Sequence, residues 1–250
     1  MFDLDDTVLD RGALRLEAYG ALFALRAAGL RLVACTGRPS GWGEVVARQW
    51  PVDAVVVENG ALAWLRDASG DAVAVRSTDV LDPEARAARR RPLLDLARAM
   101  LARHPEAALA DDNGARVTDV TIDVGEHRRV PADVVREMRG EARAAGVVTH
   151  LSSVHLHLAD APDDKASAAV RLLASRFGED PTRARRRYAF VGDSGNDAQA
   201  FAAFRTTFGV ANVRAHLAAL TVRPAYVAER PMGLGFVEIA EAIVQARAKP

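Results

Sequence analysis

Runs of apolar residues that fit fully buried strands alternate along the chain with stretches of helical periodicity. Residues 14–28 read as a helix that stops at Gly29, a residue suited to the left-handed position closing many helices. Residues 30–35 read as a strand ending in Thr36-Gly37-Arg38-Pro39, after which Ser40 caps a helix to about residue 49. Residues 54–57, Ala-Val-Val-Val, form a continuous apolar strand, the pattern expected where both sheet faces are covered. Glu58-Asn59-Gly60-Ala61 is a turn signal, and residues 61–65 and 72–76 make a hairpin through 67–71.

From about residue 78 to 160 the pattern changes. Pro83 opens a long Ala/Arg/Leu-rich helix to about residue 104, and residues 117–124 alternate like a half-exposed strand. Residues 131–145 are helical and stop at Gly146; residues 147–150 and 154–158 are two further strands. The buried-strand pattern then resumes with a helix at 165–177, a strand at 188–191 ending in Gly192-Asp193, and a helix at 197–204. Short strands at 207–210 and 225–228 and a helix at 235–248 close the chain. The expected architecture is α/β: a doubly wound parallel sheet from residues 1–77 and 161–250, with residues 78–160 inserted as a small α/β unit with one open sheet face. In such sheets ligands bind beyond the carboxyl ends of the strands, and Asp3, Thr36 and Asp193 each follow such an end.

Composition narrows the functional classes. The 250 residues are half hydrophobic, enough for a sizeable core. The 33 basic and 33 acidic side chains cancel, which argues against a general nucleic-acid binder. The arginine clusters at 89–91 and 185–187 read as solvated helix ends or loops. The single cysteine, Cys35, precludes an intrachain disulfide, reads as a small buried residue and suits a reducing cytoplasm. No apolar stretch is long enough to span a bilayer, and with an acidic motif starting at residue 3 a cleaved signal peptide is not expected. The expectation is a cytoplasmic protein whose partner is neither nucleic acid nor membrane. Oligomeric state has no signature.

That motif, Asp3-Leu4-Asp5-Asp6-Thr7, is the most informative one. Residues i and i+2 of a strand point the same way, so Asp3 and Asp5 are expected to converge at a strand end, where their repulsion calls for a cation. All-oxygen ligation suggests a hard metal such as Mg²⁺. Asp193-Ser194-Gly195-Asn196-Asp197 is a second acidic site, with Asp197 in the first turn of a helix that favours an anion. Thr36 offers a hydroxyl and Gly37 an unobstructed N–H, both suited to a phosphate oxygen. Lys165, an ordinary surface lysine by residue type, gains interest from lying between the insert and the strand ending at Asp193.

Together Asp3-Leu4-Asp5-Asp6-Thr7, Thr36-Gly37-Arg38, Lys165 and Gly192-Asp193-Ser194-Gly195-Asn196-Asp197 resemble, in order and spacing, the four motifs of the haloacid-dehalogenase-like (HAD) phosphohydrolases. The position of the insert and Glu58-Asn59-Gly60-Ala61 resemble class IIB, whose insert is an α/β cap and whose sugar-phosphate branches are nearest. The resemblance implies a phosphatase acting on a small phosphorylated metabolite, a sugar phosphate. Asp3 would be the nucleophile and Asp5 the general acid and base, with Mg²⁺ held by Asp3, the Asp5 carbonyl, Asp193 and Asp197. Thr36 and Lys165 would bind the phosphoryl oxygens, and Gly37, Arg38 and Asn196 belong with the phosphate- and substrate-binding set. The carboxylate at position 5 separates the chain from true dehalogenases. Two other readings stand beside this one, a non-catalytic phospho-ligand binder and a phosphotransferase or mutase.

Several residues keep alternatives. Val154, Leu156 and Leu158 should face a core, while His155 and His157 line the substrate cleft or face solvent; a zinc site lacks a third ligand at suitable spacing. Arg116 and Asp111-Asp112-Asn113-Gly114 contact substrate or form a simple hairpin. Arg38 reaches a substrate anion or caps its own helix. Only Met1 and Phe2 precede Asp3, so a free amino group would lie near the centre of a buried sheet, at a cost unless paired. A start further upstream is the expectation that follows.

Overall fold

The structure is a computed structural model and describes residues 1–69, 72–78, 82–152 and 154–248. A short hairpin, β1 (Leu9–Asp10) with β2 (Ala13–Leu14), leads into α1 (Leu16–Ala27), β3 (Val33–Cys35), α2 (Ser40–Gln49) and β4 (Ala54–Val57). β5 (Leu62–Ser69) and β6 (Ala72–Ser77) form the expected hairpin; residues 70 and 71 at its tip lie outside the described residues. Next come α3 (Pro83–Leu101), β7 (Ala108–Leu109), β8 (Val120–Asp123), α4 (Ala132–Ala144), β9 (Val148–Leu151) and β10 (His155–Ala159). The chain continues through α5 (Lys165–Phe177), α6 (Pro181–Arg187), β11 (Ala189–Gly192), α7 (Ala198–Ala203), β12 (Thr206–Gly209), β13 (Tyr226–Val227) and α8 (Met232–Ala248).

Local chemistry sets many of these boundaries. Asp82, Asp164 and Asp180 cap α3, α5 and α6 by accepting backbone N–H bonds, and proline follows directly in α3 and α6, where its missing N–H costs nothing. Gly178 ends α5 in the left-handed region at φ 66°. The expected cap on α2 is different: Pro39, not Ser40, precedes the first turn, and the Ser40 N–H is satisfied from a distance by Glu58. The arginines at 185–187 do end a helix, α6, which the sequence reading left unassigned.

The main sheet is doubly wound. Phe2 bridges Ala34 on β3 and Val191 on β11 in parallel, joining β3-β4-β5-β6 to β11-β12-β13. β3 and β4 pair in parallel, as do β11, β12 and β13, while β5 and β6 turn back antiparallel. One core packs Phe2, Leu4, Leu22, Val55 and Phe236 on one face, and a second packs Val33, Cys35, Val56, Phe190 and Phe201 on the other. Phe2 meets Phe236 edge-on at 5.4 Å, and its truncation to alanine is expected to cost about 3–5 kcal/mol.

A second sheet, ordered β7-β8-β10-β9 and wholly antiparallel, has its own core with α3 and α4. Val120, Ile122, Leu156 and Leu158 are buried there, as alternation required. Val154 departs from expectation: it precedes β10, where strand alternation does not hold, and lines a cleft beside His155.

The Met1 amino group donates to the Ala189 carbonyl at 2.8 Å, and burial lowers its pKa to about 6. Beside it a cavity of about 670 Å³ opens among Phe2, Leu32, Tyr188 and Phe236. Among the described residues, no helix is long and apolar enough to cross a membrane.

Candidate active site

The chain leaves the sheet at Asp3 and turns at once. The Leu4 carbonyl accepts from the N–H groups of Thr7, Val8 and Leu9, and Asp6 sits in the left-handed region at φ 53°. Strand periodicity ends at the turn, yet Asp3 and Asp5 line one cleft, Asp3 bonded to Lys165 and Asp5 to Arg38.

Asp3, Asp193 and Asp197 are buried, with carboxylate oxygens within 4.8 Å of one another. Lys165, delivered by the first turn of α5, places its ammonium 2.9 Å from both Asp3 and Asp197. One cation cannot neutralise three anions. Burial pushes Asp3 up to about 8; Lys165 opposes this, and the neighbouring Asp197 and Asp5 add to it. Asp193 is raised well above its ordinary value by burial and by Asp197 and Asp3. Lys165 is also raised: burial works against it but Asp197 and Asp3 outweigh burial, so the lysine stays charged. A rise at both Asp3 and Lys165 is consistent: burial, helped by Asp197 and Asp5, raises Asp3, while Asp197 and Asp3 hold the lysine's proton.

The oxygens of Asp197 are already used. Oδ1 meets Lys165, while Oδ2 accepts from the Asp193 and Ser194 N–H groups. Ser194 and Asp197 form a capping box, and a Cβ on Gly192 would stand 2.4 Å from Asp197 Oδ2, so only glycine fits there. Asp193 accepts from Thr7 Oγ1 at 3.2 Å and Asn212 Nδ2 at 3.0 Å. Asn212 also binds the Asp6 carbonyl and the Met232 N–H, tying the turn to α8. The excess charge and all-oxygen donors fit a divalent cation at Asp3 and Asp193, with Asp197 mainly positioning its neighbours.

Gly37, Arg38, Ser194 and Asn196 line the same narrow cleft as Asp3, Asp5, His155 and His157. Thr36 is buried, its Oγ1 accepting from the Arg38 N–H at 3.0 Å. Arg38 neither caps its helix nor stands free: it grips Asp5 at 2.6–3.0 Å and lies over the Trp42 ring. Asn196 accepts from Ser194 Oγ. The cleft has only about 20 Å³ of room, whereas the 670 Å³ cavity lies at the opposite, amino-terminal end of the strands. Ligands of doubly wound sheets bind at the carboxyl ends, and the charged groups are there, so the small cleft is the candidate site.

The antiparallel sheet covers this cleft with its polar face. Arg116 is fully buried and binds Asp112 and Asp119 at 2.6–3.0 Å and the Gly37 carbonyl at 3.0 Å. Burial raises Asp119, but Arg116 and His157 more than compensate and hold it below the usual carboxylate range. His157 Nδ1 lies 2.9 Å from Asp119, and burial lowers its pKa to about 4 despite that carboxylate. Glu58 gathers N–H bonds from Ser40, Val117, Thr118 and Asp119 and the Thr118 hydroxyl, joining β4 to the loop before β8. Asp111-Asp112-Asn113-Gly114 is one turn of 3₁₀ helix between β7 and β8 rather than a tight hairpin.

No family model matches the chain, and no curated protein matches it. Solved structures do. A protein of Thermoplasma acidophilum superposes with a TM-score of 0.71 at 18% identity, over 96% of this chain and 95% of its own. The sucrose-phosphatase of Synechocystis, solved with sucrose and phosphate, gives 0.65 at 16% identity over 98% and 96%. A sugar phosphatase described as HAD subclass IIB gives 0.63 at 14% over 98% and 97%. The fold is haloacid-dehalogenase-like. Within that HAD-like fold, Asp3, Asp5, Gly37, Arg38, Lys165, Asp193, Asn196 and Asp197 from the sequence motifs lie in or against one cleft, with Thr36 buried next to Gly37 in sequence. Glu58, Asp119 and Asn212 were not singled out for their roles. Strand alternation did carry a signal for Asp119, which shares parity with Thr121 and Asp123 opposite His157.

Proposed function

We propose that the protein is a Mg²⁺-dependent phosphatase that hydrolyses a small phosphorylated metabolite, a sugar phosphate, through an aspartyl-phosphate on Asp3, and that it acts in the cytoplasm. The observation that carries the reading is Asp3 itself. It is a buried carboxylate at the carboxyl end of the sheet centre, hydrogen-bonded to Lys165 and facing the cleft lined by Gly37 and Ser194. The likeness to phosphatases acting on sugar phosphates supports the same reading.

In the first step an Asp3 oxygen attacks phosphorus in line, the phosphorus–leaving oxygen bond breaks, and Asp5 gives its proton to the departing alkoxide. In the second step Asp5 takes a proton from water, the water oxygen attacks phosphorus, and the bond to Asp3 breaks to release phosphate. Thr36, the Gly37 N–H and Lys165 hold the phosphoryl oxygens, where positioning and charge compensation supply most of the catalysis. Asp3, Asp193 and the Asp5 carbonyl would hold Mg²⁺, with Asp197 direct or through water, and the ion would supply compensation for phosphoryl charge. The Arg38 grip on Asp5 must loosen for Asp5 to carry a proton. Residues 78–160 act as a cap over the cleft.

Hydrolysis of p-nitrophenyl phosphate by the wild-type protein, with Mg²⁺ and with a chelator, tests the reading. Mg²⁺-dependent release of p-nitrophenol is expected. Its absence under both conditions would overturn the assignment.

A further inference from the structure

The segment Thr36-Gly37-Arg38 is held at nearly every backbone polar group. The Thr36 N–H donates to the Val56 carbonyl at 2.8 Å, and the Thr36 carbonyl accepts from the Asn59 N–H at 3.2 Å. The Gly37 carbonyl accepts from Arg116 Nη1 at 3.0 Å, the Arg38 N–H donates to Thr36 Oγ1 at 3.0 Å, and the Arg38 carbonyl accepts from the Glu58 N–H at 3.0 Å. Among the described residues nothing accepts from the Gly37 N–H, and Gly37 lines the cleft. The N–H and carbonyl of a planar trans peptide point in opposite directions. The Thr36 carbonyl is turned to Asn59, so the Gly37 N–H points away from Asn59.

Of these partners, only Arg116 comes from the antiparallel sheet, where it precedes β8 with its side chain fully buried. Two carboxylates fix its direction. Asp112 takes Nε at 2.9 Å and Nη2 at 2.6 Å, and Asp119 takes Nη1 at 3.0 Å. Nη1 carries two protons, so one serves Asp119 and the other the Gly37 carbonyl. His157 holds Asp119 in turn. The Gly37–Arg38 peptide is thus gripped at both ends, by Arg116 at its carbonyl and by Thr36 Oγ1 at its N–H. Glycine resists peptide rotation less than any other residue, so the grip has to come from outside. A Gly37 carbonyl rotated towards a phosphoryl oxygen would set acceptor against acceptor, and the same rotation would release Thr36 Oγ1.

Resting on the phosphatase reading above, we propose that Arg116 is a positioning residue for phosphate binding: it reaches across from the antiparallel sheet and holds the Gly37–Arg38 peptide in the orientation that leaves two donors, the Gly37 N–H and the Thr36 hydroxyl, for the phosphoryl oxygens. Thr36 Oγ1 accepts from Arg38, so its own proton remains to be given. Arg116 touches neither the phosphoryl group nor the metal; it acts through one peptide. The phosphate loop of the main sheet is then complete only while the antiparallel sheet is docked on it.

The test is a double-mutant cycle read by calorimetric binding of inorganic phosphate in the presence of Mg²⁺. Arg116→Lys keeps the charge and loses the fork, and Thr36→Val keeps the shape and loses the hydroxyl. Each alone is expected to weaken phosphate binding on the order of tenfold. Both grip one peptide, so the losses should overlap, and the double variant should bind within about threefold of the weaker single variant. A double variant weakened by the product of the two single losses would overturn the proposal, as would Arg116→Lys binding phosphate like the wild type. If Arg116→Lys does not fold, Asp112→Asn, at a half-buried carboxylate that orients the same guanidinium, replaces it in the cycle. The same overlap is then expected, and additivity or no loss counts against the proposal as before. Wild-type protein that binds no phosphate would overturn it outright. Hydrolysis of p-nitrophenyl phosphate is measured separately: its absence with phosphate binding retained removes the phosphatase reading alone, and the cycle still decides the role of Arg116.

Discussion

Two buried ion clusters face each other across the cleft, and they are built on opposite terms. On the main sheet, one lysine meets Asp3 and Asp197 while Asp193 stands close by, and both Asp3 and Asp193 are pushed upward. On the antiparallel sheet, one arginine meets Asp112 and Asp119, and both are held below their ordinary range. Asp112 is half-buried where the other carboxylates are buried, but the larger difference is donor supply. Guanidinium is a planar fork of five donors that matches carboxylates two bonds at a time, whereas an ammonium is a point charge divided between its neighbours. The arginine cluster is thus complete and fixes geometry. The lysine cluster carries surplus negative charge that a divalent cation would offset.

Substitutions should separate the two clusters. The largest effect is expected on activity: Asp3→Asn should lower turnover of p-nitrophenyl phosphate on the order of 10⁴-fold or more. The same variant should not unfold more readily in metal-free buffer, because it removes charge from a crowded site. Arg116→Met should do the reverse to stability. It strands the buried Asp119, the half-buried Asp112 and the Gly37 carbonyl, so denaturant titration should show a loss of about 3–5 kcal/mol.

Smaller effects follow from protons. His157 has a folded pKa of about 4 against an ordinary 6.5, so the unfolded chain binds the proton more readily. Stability should therefore fall as pH drops from about 6.5 towards 4, by up to about 3 kcal/mol, and His157→Phe should flatten that slope in thermal or denaturant unfolding. Asp3 has the opposite sign. Its folded pKa of about 8 exceeds the ordinary 3.8, so without metal its contribution fades as pH rises from about 4 to 8. On the proposed function, Mg²⁺ would displace that proton. Calorimetry should show affinity weakening as pH falls below about 8, about tenfold per unit for each proton displaced. A pH-independent affinity would remove the surplus-charge explanation.

The doubly wound sheet and the acidic cluster were legible because local signals survive folding. Continuous apolar runs mark buried parallel strands, and Asp3, Thr36, Lys165 and Asp193 fall at the ends of elements in motif order. What was illegible depends on partners distant in sequence. Glu58 reads as a turn residue, yet its bonds to residues 117–119 span about sixty positions. Asn212 has no local pattern and becomes meaningful only through Asp6, Asp193 and Met232. Asp5 does face the same cleft as Asp3, but its partner Arg38, 33 residues away, could not be read from strand periodicity. β7, with two residues, is too short to leave a periodic trace.

The nucleophile is the most direct point of attack on this account. Wild-type protein mixed with a ³²P-labelled phosphate monoester and Mg²⁺, quenched in acid within the first turnover and digested, should yield label on the amino-terminal peptide carrying Asp3. Release of labelled phosphate with no labelled Asp3 peptide at any quench time would contradict it.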